Sequence, residues 1–297
     1  MSKKRFLFIV NPISGIGKQK DIPKIIDRYF DSHTGDYQIE VTKYAGHARE
    51  IAREAQGNYD VLVAVGGDGT MNETASQLIG SDTALGIIPL GSGNGFARHL
   101  GLSTDPVQAV QQLNRAEPIP LDACYMNERP FFNVSGMGFD AQVSKRFMLQ
   151  IKRGYATYAR CVWAEFQTYR PRRYRYELNG KLIEERLLMI AFANTQQYGN
   201  NAVIAPQARI DDGYVDVVFV HPFPLAYLPI FTMLAFTRNI HHSPYVKIAR
   251  VQQFHIQQMD ETLGHVDGDY VETEAEVQLE VQSNSLHVLR PAIKTRW

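Results

Sequence analysis

The sequence predicts a protein of two domains, the first α/β with a Rossmann-like parallel sheet and the second a β-rich sandwich. Three observations predict this division. At 297 residues, the chain is about twice as long as an average domain. Short apolar runs alternate with helical patterns up to residue 122, as they do in a parallel sheet covered by helices. Beyond that position, strand-like runs follow one another almost directly.

The first domain, residues 1–122, contains four predicted strands, and its binding site is expected at their ends. The strands are residues 6–10, 37–42, 61–65 and 85–88, which are short runs rich in apolar or β-branched residues. After each strand the chain turns through glycine. In open α/β sheets, ligands bind at the carboxyl ends of the strands, so these turns are the expected binding region.

The second domain, residues 123–286, is predicted from a series of strands with two helical interruptions, at about 140–168 and 223–238. The predicted strands are residues 131–134, 173–178, 186–194, 214–220, 247–256, 265–271 and 275–290. The apolar stretch Pro222–Phe236 is shorter than the roughly 20 residues of a transmembrane helix, so we expect a buried or interfacial helix there. The last residues, about 287–297, are expected to return to the first domain.

Composition and charge exclude several classes of protein. Lysine plus arginine equals aspartate plus glutamate at 31 each, so no net field would attract nucleic acid from a distance. Cys124 and Cys161 are too few for a disulfide framework and lack the spacing of zinc ligands. We therefore expect a folded protein of a reducing, cytoplasmic compartment, without a nucleic-acid partner.

The strongest motif is Gly66-Gly67-Asp68-Gly69-Thr70, which follows the strand 61–65 and precedes an amphipathic helical pattern. Adjacent glycines allow backbone N–H groups to approach an anion closely, and a helix N-terminus adds partial positive charge. The motif therefore predicts a phosphate site. Thr70 and Glu73 also fit a capping box, in which each side chain bonds to the backbone of the other residue.

Two further glycine loops follow neighbouring strands. Residues 89–95 read PLGSGNG, where Ser92 can donate to a phosphate and Asn94 is suited to an N-cap or a left-handed conformation. Residues 11–18 read NPISGIGK and do not match the P-loop pattern, and no strand ends in the G-x-G-x-x-G of dinucleotide oxidoreductases. Three loops on adjacent strands predict a nucleotide site more strongly than any one loop does.

These segments, together with two later ones, resemble the bacterial diacylglycerol and YegS-like lipid kinases. The resemblance rests on NPISGIGK, VAVGGDGTMNE and GIIPLGSGNGFARHLGL, and then on PQARIDDGYVD at 206–216 and VDGD at 266–269. The catalytic domain of that family is shared with eukaryotic diacylglycerol, sphingosine and ceramide kinases. The resemblance covers nearly the whole chain and implies a nucleotide-binding domain like that of NAD kinases and diacylglycerol kinases, with ATP, Mg²⁺ and a membrane lipid acceptor.

The resemblance also implies the roles of particular residues. Asp68 would help to hold the catalytic magnesium, and a structural magnesium would lie on Asp212 and the backbone carbonyls of Arg209 and Tyr214. The residues that the resemblance implies to contact the nucleotide are Asn11, Thr42, Gly66, Gly67, Asp68, Gly69, Thr70, Met71, Asn72, Glu73, Ser92 and Asn94.

The general base is expected in the motif Asp267-Gly268-Asp269. Phosphoryl transfer needs a metal to neutralise the phosphates and a base to accept the hydroxyl proton. The related kinases usually have glutamate at the third position, so Asp269 is shorter by one methylene, and either Asp267 or Asp269 remains a candidate. Asp-Gly is also the preferred pair for a two-residue hairpin turn.

The segment Lys145–Arg175 combines nine basic residues with aromatic residues and a single acidic residue, Glu165. This mixture suits an anionic bilayer surface, single-stranded nucleic acid, or a helix with one solvated face. With a lipid acceptor, we expect peripheral contact with the inner face of the membrane. The basic residues are Lys145, Arg146, Lys152, Arg153, Arg160, Arg170, Arg172, Arg173 and Arg175.

The function expected from the sequence is transfer of phosphate from ATP to a hydroxyl of a membrane lipid. One alternative is a kinase of a soluble substrate, related to the NAD kinases that share the GGDGT loop. Another is a regulator that binds nucleotide or lipid without catalysis. The sequence identifies no particular lipid, and it leaves open whether the chain forms a homodimer.

Overall fold

The computed structural model describes residues 3–15, 21–150, 154–199, 201–260 and 262–291. The chain forms two compact units. The first unit is Met1–Ala123 together with Asn284–Trp297, and the second unit is Cys124–Ser283. Of the tail that was predicted to return to the first domain, residues 292–297 lie outside the described residues.

The first unit contains a parallel sheet of strand order β2-β1-β3-β4, with Val288 of the last strand pairing in parallel with Leu85 of β4. Every residue of β3 and β4 is buried, as expected for a parallel sheet covered on both faces. The elements are β1 (Lys4–Val10), α1 (Ile22–Tyr29), β2 (Gly35–Val41), α2 (His47–Ala55), β3 (Val61–Gly66), α3 (Asp68–Ala75), β4 (Ala84–Pro89), α4 (Gly95–His99), α5 (Pro106–Leu113) and most of β5 (Ala116–Met126).

The core of the first unit is aromatic beneath α1. Phe30 packs edge-on against Phe6 and Phe8, with ring centroids 5.0 and 5.4 Å apart, and Tyr37 of β2 completes the group. Each buried ring of this size contributes roughly 1.5–3 kcal/mol to stability. This cluster fixes the sheet whose carboxyl ends carry the glycine loops.

The elements of the second unit are β6 (Arg129–Phe131), β7 (Val134–Gly138), α6 (Phe139–Met148), α7 (Tyr155–Thr168), β8 (Arg172–Leu178), β9 (Lys181–Leu187), β10 (Met189–Ala193), β11 (Val215–Val220), α8 (Leu228–Phe236), β12 (Val246–Val251), β13 (Gln253–Gln258), β14 (Leu263–Val266), β15 (Asp269–Glu272) and the first half of β16 (Glu276–Pro291). In the described residues, the strands form two antiparallel sheets. One sheet has the order β12-β11-β10-β7-β14-β15, and the other contains β13, β8, β9 and the first half of β16.

Strand β11 shows how the second unit is layered. Its alternate residues Val217 and Phe219 pack with Tyr176 and Phe254 of the other sheet, in the core of a sandwich. Val218 and Val220 point to the opposite face, into an apolar cluster shared with α6, α7 and α8. The predicted fold class, an α/β domain followed by a β-sandwich, is therefore confirmed.

Several long predicted elements are divided in the structure. The run 186–194 is interrupted at Leu188, and the run 247–256 at Gln252, so each gives two strands. Neither interruption carries glycine or proline, which is why the sequence did not reveal it. No helix in the described ranges is both long enough and apolar enough to cross a membrane.

Candidate active site

The three glycine loops of the first unit touch one another. In chain order, the first follows β1, the second follows β3 and the third follows β4. A Cβ atom added to Gly91 would lie 2.8 Å from the Cα atom of Gly67, and one added to Gly15 would lie 2.7 Å from the carbonyl oxygen of Leu90. Between the first and second loops, Asn11 Nδ2 donates a hydrogen bond of 2.9 Å to Thr70 Oγ1. Glycine is required at these positions because the backbones approach too closely for any side chain.

Asp68 joins the second and third loops. It begins α3, where a helix N-terminus stabilises a carboxylate, and its two oxygens accept hydrogen bonds from the backbone N–H groups of Asn94 (2.8 Å) and Gly95 (3.0 Å). Asn94 has the expected left-handed conformation, with φ of 50°. Its Oδ1 atom is buried and has no hydrogen-bond partner among the described residues. Asp68 and Asn94 therefore both carry side-chain oxygen acceptors where the second and third loops meet.

The capping-box interpretation of Thr70 and Glu73 is wrong. Helix α3 starts at Asp68 with Gly67 as its N-cap, so Thr70 already lies within the first turn. Thr70 accepts its bond from Asn11, and Glu73 Oε1 accepts one of 3.0 Å from the backbone N–H of Gly46. Both side chains therefore attach α3 to the loops that follow β1 and β2.

The other residues predicted to contact a nucleotide lie around the same loops. Thr42 is buried just after β2, and Ser92 is exposed at the tip of the third loop. The side chain of Met71 is buried, and its backbone N–H donates to the carbonyl oxygen of Gly67. Gly66 ends β3, while Gly69 and Asn72 belong to α3.

Arg98 was missed by the sequence reasoning. Its Nε atom donates a hydrogen bond of 3.1 Å to the carbonyl oxygen of Gly93, which fixes a guanidinium group beside the third glycine loop. Guanidinium groups bind phosphate oxygens well. A basic residue in the helix that follows a glycine loop was the signal that would have identified it.

The motif Asp267-Gly268-Asp269 forms the hairpin between β14 and β15. Asp267 and Gly268 are its two turn residues, with φ of 50° and 93°, which is the left-handed geometry of a tight hairpin. The Asp267 carboxylate accepts hydrogen bonds from the backbone N–H groups of Phe132 (3.1 Å) and Asn133 (2.8 Å). Asp269 is exposed at the start of β15. Asp267 thus fixes the turn, and Asp269 faces solvent.

A buried polar cluster contacts this turn through His265. Asp140 Oδ2 accepts hydrogen bonds of 3.0 Å from Tyr198 and from His265 Nε2, and Gly268 N–H points at His265 Nδ1 at 3.3 Å. Burial, reinforced by the charge of Asp140, raises the pKa of Tyr198, so the phenol remains a donor. One imidazole nitrogen must donate and the other must accept, which assigns the neutral Nε2–H tautomer to His265.

An apolar cavity of about 310 Å³ opens beside this cluster, within the second unit. Its walls include Val162 and Phe166 of α7 and Phe231 of α8, while Asp140 and Tyr198 supply polar groups. Its size is at the lower end of typical ligand pockets, roughly 300–1,000 Å³. Such a cavity suits a hydrocarbon chain with a polar group at one end. Because its residues are far apart in sequence, no local pattern predicted it.

The acidic cluster at Asp212, where a structural magnesium is predicted, contains an ion pair with Arg250. Asp212 Oδ2 lies 3.2 Å from Arg250 Nη1, at ion-pair distance but without hydrogen-bond alignment, and Asp216 Oδ1 lies 3.3 Å from Arg250 Nε. Tyr214 N–H donates to Asp212 Oδ1 at 3.1 Å, and Arg209 pairs with Asp211. The described side chains contain no group of three or more His, Cys, Asp or Glu that could hold a metal ion.

The structural magnesium on Asp212 and the backbone carbonyls of Arg209 and Tyr214 stays a prediction, and in the structure a guanidinium group lies against the Asp212 carboxylate. Burial raises the pKa of Asp216, and the charge and hydrogen bond of Arg250 partly oppose this rise. Arg250 is thus the cation of this cluster. Asp68 and Asn94, in contrast, supply oxygen ligands of the kind that Mg²⁺ prefers.

The basic segment Lys145–Arg175 is divided between helices and a strand. On β8, Arg173 pairs with Asp260 at 3.0 Å and Arg175 pairs with Glu184 at 3.0 Å. Arg160 is exposed on α7. Lys152 and Arg153 lie outside the described residues.

Two family models match the chain. The diacylglycerol kinase catalytic domain matches residues 5–126, and the YegS C-terminal NAD kinase beta sandwich-like domain matches residues 133–290. Together they cover both units.

Similar proteins are kinases by name. A diacylglycerol kinase of Staphylococcus saprophyticus is 28% identical over 275 residues, which cover 90% of each chain. A Pseudomonas aeruginosa protein named "Probable lipid kinase YegS-like" is 31% identical over 260 residues, which cover 86% of this chain and 84% of the relative. A crystal structure of a diacylglycerol kinase from Bacillus anthracis superposes with a TM-score of 0.79 at 20% identity, over 98% of both chains, and this likeness shows the shared fold alone.

Proposed function

We propose that this kinase, which belongs to the family of diacylglycerol and YegS-like lipid kinases, transfers the γ-phosphate of ATP to a hydroxyl group of a membrane lipid such as diacylglycerol. The observation that carries the proposal is the contact of three glycine loops around Asp68 at the N-terminus of α3. We place this activity in the cytoplasm, at the inner face of the membrane.

The glycine loops are the proposed site for the phosphates of ATP. The N-terminus of α3 and the close-packed loop backbones present N–H groups and partial positive charge to an anion. Arg98, bonded to Gly93, adds a full positive charge beside the loop. These groups bind and orient the triphosphate for transfer, which is the main part of catalysis in this reaction class.

Asp68 and Asn94 Oδ1 would hold the catalytic magnesium. When bound, this ion supplies the charge neutralisation that the transferring phosphoryl group requires. The hydrogen bonds from Asn94 and Gly95 to Asp68 keep the two glycine loops in contact.

The apolar cavity and the turn at Asp267 are the proposed acceptor side. The cavity would take an acyl chain, and Asp140 with Tyr198 would meet the polar part of the lipid. Asp269 would accept the proton of the lipid hydroxyl while its oxygen attacks the γ-phosphorus and ADP leaves. We assign this role to Asp269 because its side chain is exposed at the start of β15, where an acceptor can reach it.

The decisive experiment is incubation of the purified protein with labelled ATP, Mg²⁺ and a total lipid extract, followed by identification of the labelled product. We expect the label in a lipid. Asp68→Ala should abolish transfer and leave the fold intact, whereas Asp36→Ala, at an exposed position of β2, should retain it. Label confined to a water-soluble product would favour a soluble substrate, and full activity of Asp68→Ala would overturn the proposed site.

A further inference from the structure

Helix α8 is apolar on both of its faces. One face, with Leu228, Phe231 and Ala235, lines the apolar cavity. On the other face Ile230 and Met233 are 45% and 55% exposed, and no residue of the helix is buried. A helix that is apolar all round is normally enclosed by protein or lipid. The outer face of α8 therefore requires a partner.

Helix α7 extends the same surface around the mouth of the cavity. Trp163 of α7 and Phe236 of α8 both line the cavity, yet they are 51% and 40% exposed. The apolar interior of the cavity is thus continuous with the exposed apolar side chains. A hydrocarbon chain at the mouth of the cavity would therefore contact apolar side chains both inside the cavity and outside it.

The charges around this surface have one sign. In the described parts of 139–170 and 221–245, the acidic residues are Asp140, which is buried, and Glu165, which is 13% exposed and pairs with Arg146. Arg160 is exposed on α7, one turn before Trp163. The cations that are at least partly exposed in these ranges are Lys145, Arg146, Arg160, Arg170 and Arg238. An anionic partner complements this surface.

We propose that the exposed faces of α7 and α8 dock on an anionic lipid bilayer, so that the acceptor enters the cavity directly from the membrane. Basic side chains are attracted to anionic headgroups, and tryptophan favours the interface. A second copy of this chain is disfavoured because a symmetric contact would bring the same cations together. The inference rests on the proposed function for the identity of the acceptor.

We assign the docking surface to helices α7 and α8 rather than to strand β8. Arg173 and Arg175 of β8 are paired with Asp260 and Glu184, so their charges are already matched within the protein. Arg160 lies beside the exposed Trp163.

The test is co-sedimentation of the full chain, without ATP, with vesicles of phosphatidylcholine alone or containing phosphatidylglycerol. We expect binding only with phosphatidylglycerol, a loss of at least tenfold for the double variant Ile230→Glu/Met233→Glu, and about a fivefold loss for Arg160→Ala. The matched controls are Leu182→Glu, at a residue 73% exposed on β9, and Arg175→Ala on β8. Both controls should bind as the parent does.

Equal binding of the parent and the double variant would overturn the proposal, as would losses confined to the controls. A dimer in solution that the double variant dissociates, with vesicle binding unchanged, would assign the surface to a second copy instead.

Transfer to a short-chain acceptor dissolved as monomers separates this inference from the proposed function. Ile230, Met233 and Arg160 do not line the cavity, so their variants should retain this activity while losing transfer to the same acceptor in vesicles. Absence of transfer to any lipid by the parent would reject the proposed function, and the binding data would still decide the docking surface.

Discussion

Two Asp-Gly turns of the second unit look alike in sequence but are held in opposite ways. At Asp267-Gly268, backbone N–H groups of Phe132 and Asn133 hold the carboxylate. At Asp212-Gly213, the guanidinium group of Arg250 lies against the carboxylate and also against that of Asp216. Backbone donors fix a side chain without neutralising its charge, whereas a guanidinium group cancels it. The carboxylate of the first turn is therefore held by neutral donors, whereas the charge at the second turn is matched by a cation.

The largest expected difference between the turns is catalytic. Asp269→Asn should lower kcat by about 100- to 10,000-fold, because the change removes the proposed base for the hydroxyl proton. Asp212→Asn should leave kcat close to that of the parent and lower the melting temperature instead. Initial rates at saturating ATP and acceptor, with thermal melting of both variants, measure the two effects. The reverse pattern, with activity lost only in Asp212→Asn, would exchange the roles of the turns.

His265 gives a finer test of how the turn at Asp267-Gly268 is supported. His265→Leu removes both the donor to Asp140 and the acceptor for Gly268 N–H, so we expect kcat to fall by about 10- to 100-fold through misplacement of the turn. The KM for ATP should not change, since the glycine loops belong to the first unit.

His265→Gln is the matched variant, because its amide retains one donor and one acceptor. It should recover most of the lost kcat. Equal losses in the leucine and glutamine variants, or an equal rise in the KM for ATP, would show that His265 does not act by positioning this turn.

The sequence predicted the first unit better than the second, for a physical reason. The predicted strands 61–65 and 85–88 agree with β3 and β4 to within one residue at each end, because buried parallel strands are continuous apolar runs. The contact between the glycine loops followed from this, since neighbouring parallel strands end at the same edge. The sequence did not predict the specific contacts near these loops, such as the hydrogen bond between Glu73 and Gly46.

In the second unit, the informative groupings join residues far apart in the chain. Asp140 meets Tyr198 58 residues later and His265 125 residues later, and neither spacing is a repeat or a motif. The Asp-Gly pairs were visible, but their partners, Arg250 in one case and two backbone N–H groups in the other, were not. The local sequence pattern showed where the acidic turns lie. Only the contacts that each turn makes in the folded protein distinguish the two turns.

Removal of Arg250 should give the smallest effect, one on stability. Arg250→Gln leaves the buried Asp216 without its cation, and because Arg250 is itself 42% exposed we expect a loss of only about 2 kcal/mol in the free energy of unfolding. Urea titration at neutral pH measures this loss.

Exchange of Mg²⁺ for EDTA, without nucleotide, should leave the melting temperature of the parent unchanged, whereas a strong dependence on Mg²⁺ would favour a metal at Asp212.

The pH dependence of this loss distinguishes an ion pair from simple packing. Because burial raises the pKa of Asp216 above its usual 3.8, the stability conferred by its protonated form is present below about pH 4 and is lost as the pH rises through the raised pKa. Without Arg250 the pKa rises further and the ionised form costs more. The deficit of Arg250→Gln should therefore increase from about pH 4 towards neutrality and nearly vanish in acid. A deficit that is constant with pH would mean that Arg250 stabilises the cluster through packing rather than charge.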